Sequence, residues 1–264
     1  MESFSMPEAE RIQKLLANSG YGSRRKIEQW IKEGKIMVNG KTAILGDCVT
    51  KDERITIDGK LVRVVGKGDV DLEVIAYNKP AGIVCSHKDQ NDRKTVFEKL
   101  PELKKGRWVN IGRLDINTTG LLLFTNDGAL ANKLMHPSSN IQREYLVRVF
   151  GTATNKQLRD LQNGVQLDDG IASFSGIVDK GGESTNHWYH VVINEGRNRE
   201  VRRLWESQGF KVSRLMRVRF GPYMLPRSKK IGMYWKLPQH EVRKLLQAAG
   251  LKSSPPSHKK SESK

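Results

Sequence analysis

The stretch Ile111–Gly128, reading IGRLDINTTGLLLFTNDG, constrains this chain most. An apolar run, Leu121–Phe124, follows an arginine, an aspartate and a cluster of small polar residues. The run has a strand's length and ends at Asp127-Gly128, a good turn pair. WVNI, just upstream, reads as a second strand. Arg113 and Asp115 therefore sit in a polar connection between two strands. By residue type alone, Asp115 is a turn residue capping its own loop.

The charge balance changes the setting of that aspartate. The chain carries 46 Lys and Arg against 29 Asp and Glu, a net charge of +17. A field of that sign attracts polyanions such as nucleic acid or an anionic membrane. With 37% hydrophobic residues and 28% charged ones, the composition is that of a soluble globular protein. No apolar stretch approaches the roughly 18 residues of a membrane helix. The acidic start, MESFSMPEAE, is neither a secretory nor a transit signal. Cys48 and Cys85 read as buried thiols of a reducing compartment. The expectation is a cytoplasmic monomer with no membrane attachment. The histidines are scattered, and no metal site is expected.

Along the chain, ERIQKLLAN has Ile12, Leu15 and Leu16 on one helical face. Ser23 is a candidate N-cap for a second helix, with Ile27, Trp30 and Ile31 inward and Gly34 at the stop. Arg24, Arg25 and Lys26 fill its first turn, where a helix dipole prefers anions. Short strands follow, joined at Asn39-Gly40 and Asp58-Gly59, both strong hairpin signals. Residues 8–66 thus form one compact unit, and the glycines around 66–68 suit a linker. A second body spans 70–250. In it REYLVRVF alternates, with Tyr145, Val147 and Val149 on one face. EGRNREVRRLW opens a helix, and KVSRLMRVRF returns as a strand with Arg217 and Arg219 on one face. The arginine density there reads as an RNA-facing surface. Residues 251–264 lack an apolar pattern and read as a disordered basic tail.

RIQKLLANSGYGSRRKIEQWIKEGKIMVNG resembles the alpha-L RNA-binding domain named for a ribosomal small-subunit protein. GRLDINTTGLLLFTNDGALANKLMHPSSNIQREYLVRV resembles the core signature of RNA pseudouridine synthases. EGRNREVRRLWESQGFKVSRLMRV resembles the third motif of the branch that carries an alpha-L domain and acts on ribosomal RNA. The resemblance implies an α+β fold: the alpha-L domain, then a synthase domain on a mainly antiparallel sheet. It also implies isomerisation of a flipped-out uridine to pseudouridine in large-subunit ribosomal RNA. Uracil is detached, turned and rejoined through carbon 5 without redox change, so no cofactor is needed.

Carried over residue by residue, the resemblance makes Asp115 the essential carboxylate and Arg202 its counter-charge, with Arg203 the neighbouring alternative. Tyr145 matches the tyrosine that packs on the target base, and Val212 the apolar residue beneath it. Arg113 matches the arginine that fills the gap left by the flipped nucleotide. Arg24, Arg25 and Lys26 are the expected RNA contacts of the front domain. Two other functions stay open: a sister synthase acting on small-subunit RNA or another large-subunit uridine, and a non-catalytic ribosome-assembly factor that only clamps RNA. Replacing Arg24 and Arg25 together is expected to weaken RNA binding and flatten its salt dependence, because fewer counterions are released. An unchanged salt slope in a binding titration would contradict a phosphate-binding role for that turn.

Overall fold

The computed structural model describes residues 9–66, 70–87, 91–183 and 185–251. Most of the expected tail, 252–264, and part of the expected linker lie outside them. Among the described residues, no helix is long and apolar enough to cross a membrane.

The front domain pairs two helices, Ile12–Asn18 and Arg24–Lys32, with a small sheet. Ser23 Oγ accepts from the Lys26 N–H at 3.1 Å, so the N-cap is in place. Ile12, Leu15, Leu16, Ile27 and Ile31 pack on Ile36 and Ile55 of the strands. Trp30 is half-buried at the edge of this cluster. Four antiparallel strands run in the order Lys41–Thr42, Ile36–Val38, Ile55–Ile57, Lys60–Val62. Asn39 and Gly40 have φ of 50° and 82°, and Asp58 and Gly59 of 48° and 74°. Two central residues at positive φ make the mirror-image turn whose twist suits a tight hairpin. Cys48 is exposed rather than buried, because it lies in a two-residue edge pairing with Arg11.

The larger domain is built on a nine-stranded sheet. Seven strands form its path: Gly176–Glu183, Asn186–Ile193, Arg143–Phe150, Val212–Phe220, Thr119–Thr125, Val74–Lys79 and Tyr234–Lys236. One face carries Tyr77, Phe124, Tyr145, Val147 and Tyr189, covered by Val201, Leu204 and Trp205 of the helix Glu200–Ser207. Under the other face Leu121, Leu123 and Phe220 meet the helices Gly128–Met135 and Gln239–Ala248. Asp127 caps the first of these, accepting from the Ala129 N–H at 2.6 Å and the Leu130 N–H at 3.2 Å. The Asp-Gly pair thus ends the strand and starts a helix, since its carboxylate meets two otherwise unpaired N–H groups.

The strand Thr119–Thr125 is where the sheet forks. One edge pairs with Val74–Lys79 almost throughout. On the other edge Thr119 and Gly120 pair with Met216 and Arg217, the sheet's one parallel contact among the described residues. Leu123, Phe124 and Thr125 on that edge pair instead with Val109–Ile111. Leu121 is left between the diverging strands, and Arg217 Nε donates to its carbonyl at 2.8 Å. A guanidinium thus replaces the ladder bond that the fork removes. The approach at the fork is tight. Gly120 has φ of 98°, and a Cβ there would lie 2.3 Å from the Arg217 carbonyl oxygen.

The loop Gly112–Thr118 leaves from this fork, and one buried cation holds it. Lys79 has no exposed surface. Its ammonium donates to the carbonyls of Pro80 at 2.9 Å, Thr118 at 3.0 Å, Asp115 at 3.2 Å and Ile116 at 3.3 Å. Burial pushes its pKa down, while the charges of Cys85 and Asp115 oppose that. The Thr118 N–H donates to the Asp115 carbonyl at 3.0 Å, and the Gly82 N–H to Ile116 at 2.8 Å. The loop backbone is thereby fixed, leaving the Asp115 side chain free to face outward.

Gly120→Ala should lower the unfolding free energy by about 3 kcal/mol or more, by overlap and by strain at positive φ. Lys79→Met, which fills the space without the donors, should cost about 2–4 kcal/mol. Urea denaturation checks both; a midpoint equal to wild type for either variant would contradict the corresponding contact.

Candidate active site

The fork opens into a cavity of about 480 Å³. Its wall takes Gly112–Asp115 from the loop, Arg143 and Tyr145 from one strand, Leu215 and Arg217 from the next, and Ile193 and Glu195–Val201 from the facing segment. The volume suits a small ligand or one nucleoside-sized group. Five arginines, 113, 143, 197, 199 and 217, line it against three carboxylates, Asp115, Glu195 and Glu200. That excess favours an anionic ligand.

Each side chain is placed by local structure. Alternation along Arg143–Phe150 turns Arg143, Tyr145, Val147 and Val149 inward. Tyr145 is 7% exposed, and that exposed part faces the cavity. Arg143 Nη1 donates to the carbonyls of Ile141 at 2.8 Å, Glu195 at 2.8 Å and Asn194 at 3.0 Å. It ties the facing segment to the sheet, with its guanidinium over the Phe220 ring at 5.3 Å. Buried Glu200 accepts from the Arg197 N–H at 3.0 Å, and burial raises its pKa. Arg199, just before the helix, has a φ of 49°, a conformation costly for a side chain of that size.

Arg202 and Arg203 have separate tasks. Arg203 forms two 2.8 Å bonds to the Asp169 carboxylate, away from the loop. Arg202 is buried and reaches beneath the loop. It donates to the Asn117 carbonyl at 3.4 Å and the Val212 carbonyl at 3.1 Å. Burial and Arg199 push its pKa down, and the charge of Asp115 raises it. Its Nε has no partner. Asp115 and Arg202 are thus in electrostatic contact across the loop.

Of the residues expected from sequence, Arg113, Asp115 and Tyr145 share the cavity wall, and Arg202 lies behind it. Val212 does not line the cavity. It is buried in the same core cluster as Tyr145 and holds Arg202 through its carbonyl. Arg24, Arg25 and Lys26 are exposed on the front domain.

The expected arginine surface is largely neutralised. Arg197 pairs with Glu195 at 2.6 Å, and Arg219 Nε donates to Glu144 at 2.6 Å. Arg217 and Arg219 do not share a face. Glu144 pairs with Arg219 and Tyr145 with Arg217, so Val218 is an extra residue in a bulge. The bulge flips the alternation, sending Arg217 into the cavity wall and Arg219 to the opposite face. Sequence reading missed Lys79, Arg143, Arg217 and Glu200. Only Arg143 left a signal, being in phase with Tyr145.

Comparison with known proteins supplies the family. Residues 73–207 match the RNA pseudouridylate synthase family and residues 10–47 the S4 domain. Ribosomal large subunit pseudouridine synthase B of Pseudomonas aeruginosa is 54% identical over 95% of this chain, which spans 65% of that relative's length. The protein of the same name from Vibrio cholerae is 50% identical over 92% of this chain and 76% of its own. A solved structure described as pseudouridylate synthase superposes with a TM-score of 0.62 at 25% identity, covering 89% of this chain and 99% of that one. With an S4 domain in front and this cavity at the fork of its sheet, the chain belongs to the RNA pseudouridylate synthase family.

Proposed function

We propose that this protein converts a specific uridine of large-subunit ribosomal RNA to pseudouridine, without a cofactor. The observation that carries this reading is Asp115. It stands on a loop whose backbone is locked by Lys79, in a cavity with more cationic than anionic groups. A purely clamping protein gains nothing from a carboxylate in a phosphate-binding cavity. The choice of RNA rests on the relatives named for the large subunit. That substrate implies work in the cytoplasm.

In this reading the target uridine leaves its stack and enters the cavity. Extrusion costs a few kcal/mol, and Arg113, at the exposed rim, offsets part of it by stacking in the gap. Tyr145 packs against the base. Asp115 acts on the nucleotide, with Arg202 as the counter-charge on the other side of the loop. Val212 contributes from behind, holding Arg202. The bond between N1 and the ribose breaks, the uracil turns, and a bond forms between C5 and the same ribose carbon. The C5 hydrogen leaves as a proton and N1 gains one, so atoms and charge balance.

Unmodified large- and small-subunit ribosomal RNA carrying tritium at uracil C5 test this directly. The protein should release tritium from large-subunit RNA alone. Release from neither RNA would overturn the enzymatic reading, and release from small-subunit RNA alone would overturn the substrate. Arg202→Met should slow release about 100-fold or more while binding RNA nearly as wild type, as expected for a lost electrostatic contact in a catalytic site. Equal rates would remove Arg202 from the mechanism.

A further inference from the structure

The two domains touch through main chain. Gly20 lies in the turn between the front domain's helices, and Gly106 just before the strand Val109–Ile111. A Cβ on Gly20 would lie 2.8 Å from the Gly106 carbonyl oxygen, and one on Gly106 would lie 3.0 Å from that of Asn18. Both glycines have positive φ, 95° and 81°. Asn18 Oδ1 also approaches Gly128, at the start of a helix in the larger domain. Nothing larger than hydrogen fits this contact, so it fixes where the neighbouring side chains fall.

Those neighbours have like charge. Arg24 follows Gly20 by four residues and Arg107 follows Gly106 by one. Arg107 is half-buried, and both burial and the charge of Arg24 lower its pKa. His87, stacked on Phe97 at 3.6 Å, feels Arg107 as well. Lys104, Lys105 and Arg25 are exposed nearby in sequence. Among the described residues, no carboxylate pairs with Arg24 or Arg107. By contrast, Arg197, Arg203 and Arg219 each meet a carboxylate. Two cations beside one main-chain contact, the charge of Arg24 lowering the pKa of Arg107 and neither meeting a carboxylate among the described residues, cost stability in the free protein. A polyanion bridging them removes the repulsion.

We propose that the seam between the domains is a composite phosphate-binding site, with Arg24 and Arg107 gripping one stretch of the RNA backbone. This rests on the reading that the ligand is RNA. Arg107 is six residues from Arg113 along a largely extended segment, so the seam lies within about 20 Å of the cavity rim. RNA held there is only a few nucleotides from the extruded uridine. Binding also staples the front domain to the larger one, because the bridging phosphate belongs to both.

The test measures binding of an unmodified large-subunit RNA transcript across a salt series for wild type, R24Q, R107Q, R107K and the double glutamine variant. Each single glutamine change should weaken binding several-fold and reduce the salt slope by about 0.7–0.9, the release from one phosphate contact. The double variant should lose less than the product of the two, since both arginines serve the same backbone stretch. R107K should keep the slope. Without RNA, R107Q should unfold at a temperature equal to or above wild type, which a merely structural arginine would not allow. An unchanged slope in R107Q, a strictly multiplicative double variant, or a drop in the RNA-free midpoint would each overturn the proposal. Arg107-dependent binding of polyglutamate but not RNA would assign the seam to an acidic protein partner instead. Tritium release by wild type reads the enzymatic reading separately, so either can fail while the other stands.

Discussion

The Lys79 ammonium is the interaction on which the site depends. Four carbonyls converge on it, three of them from the loop that carries Asp115. A buried charge is costly unless its bonds are satisfied. Here the satisfying groups are backbone, so the cation and the loop conformation require each other. The fork in the sheet provides the place for this loop, and Gly120 and Arg217 allow the fork. The carboxylate is therefore set by the body of the fold and not by contacts of its own side chain, the rigidity that precise chemistry needs.

Positive charge is used in two ways. Most arginines of the larger domain serve the fold: Arg143 and Arg217 cap carbonyls, and Arg203 and Arg219 answer carboxylates. Arg113 at the cavity rim and Arg24 and Arg107 at the seam have no carboxylate partner among the described residues. Net charge alone overstates the RNA-facing surface, because many of the cations counted in it are already partnered. The unpaired charge of Arg24, Arg107 and Arg113 is what points to a polyanion, and the three lie between the front domain and Asp115.

Much of this was legible in the residues. Helix faces, the Ser23 cap, both hairpin turns and the alternation of Arg143–Phe150 follow from local rules, and the structure has them. The loop holding Arg113 and Asp115 was readable as a connection between two strands. What escaped depends on contacts distant in sequence. Lys79 reads as the polar end of a strand, and nothing local says that it meets residues 36 and more positions away. Arg217 reads as surface because a bulge is invisible to strict alternation. Roles for Tyr145 and Arg202 came from family resemblance; periodicity alone makes the one a core tyrosine and leaves the other level with Arg203.

The central claim is that Asp115 performs chemistry on RNA that the rest of the chain binds. Asp115→Asn keeps the size and polarity of the side chain and removes the carboxylate. Paired assays on this variant, RNA affinity and tritium release from large-subunit RNA, test the claim most directly. Affinity should stay within a few-fold of wild type, with no detectable release. Release at the wild-type rate, or loss of binding in step with loss of release, would contradict it.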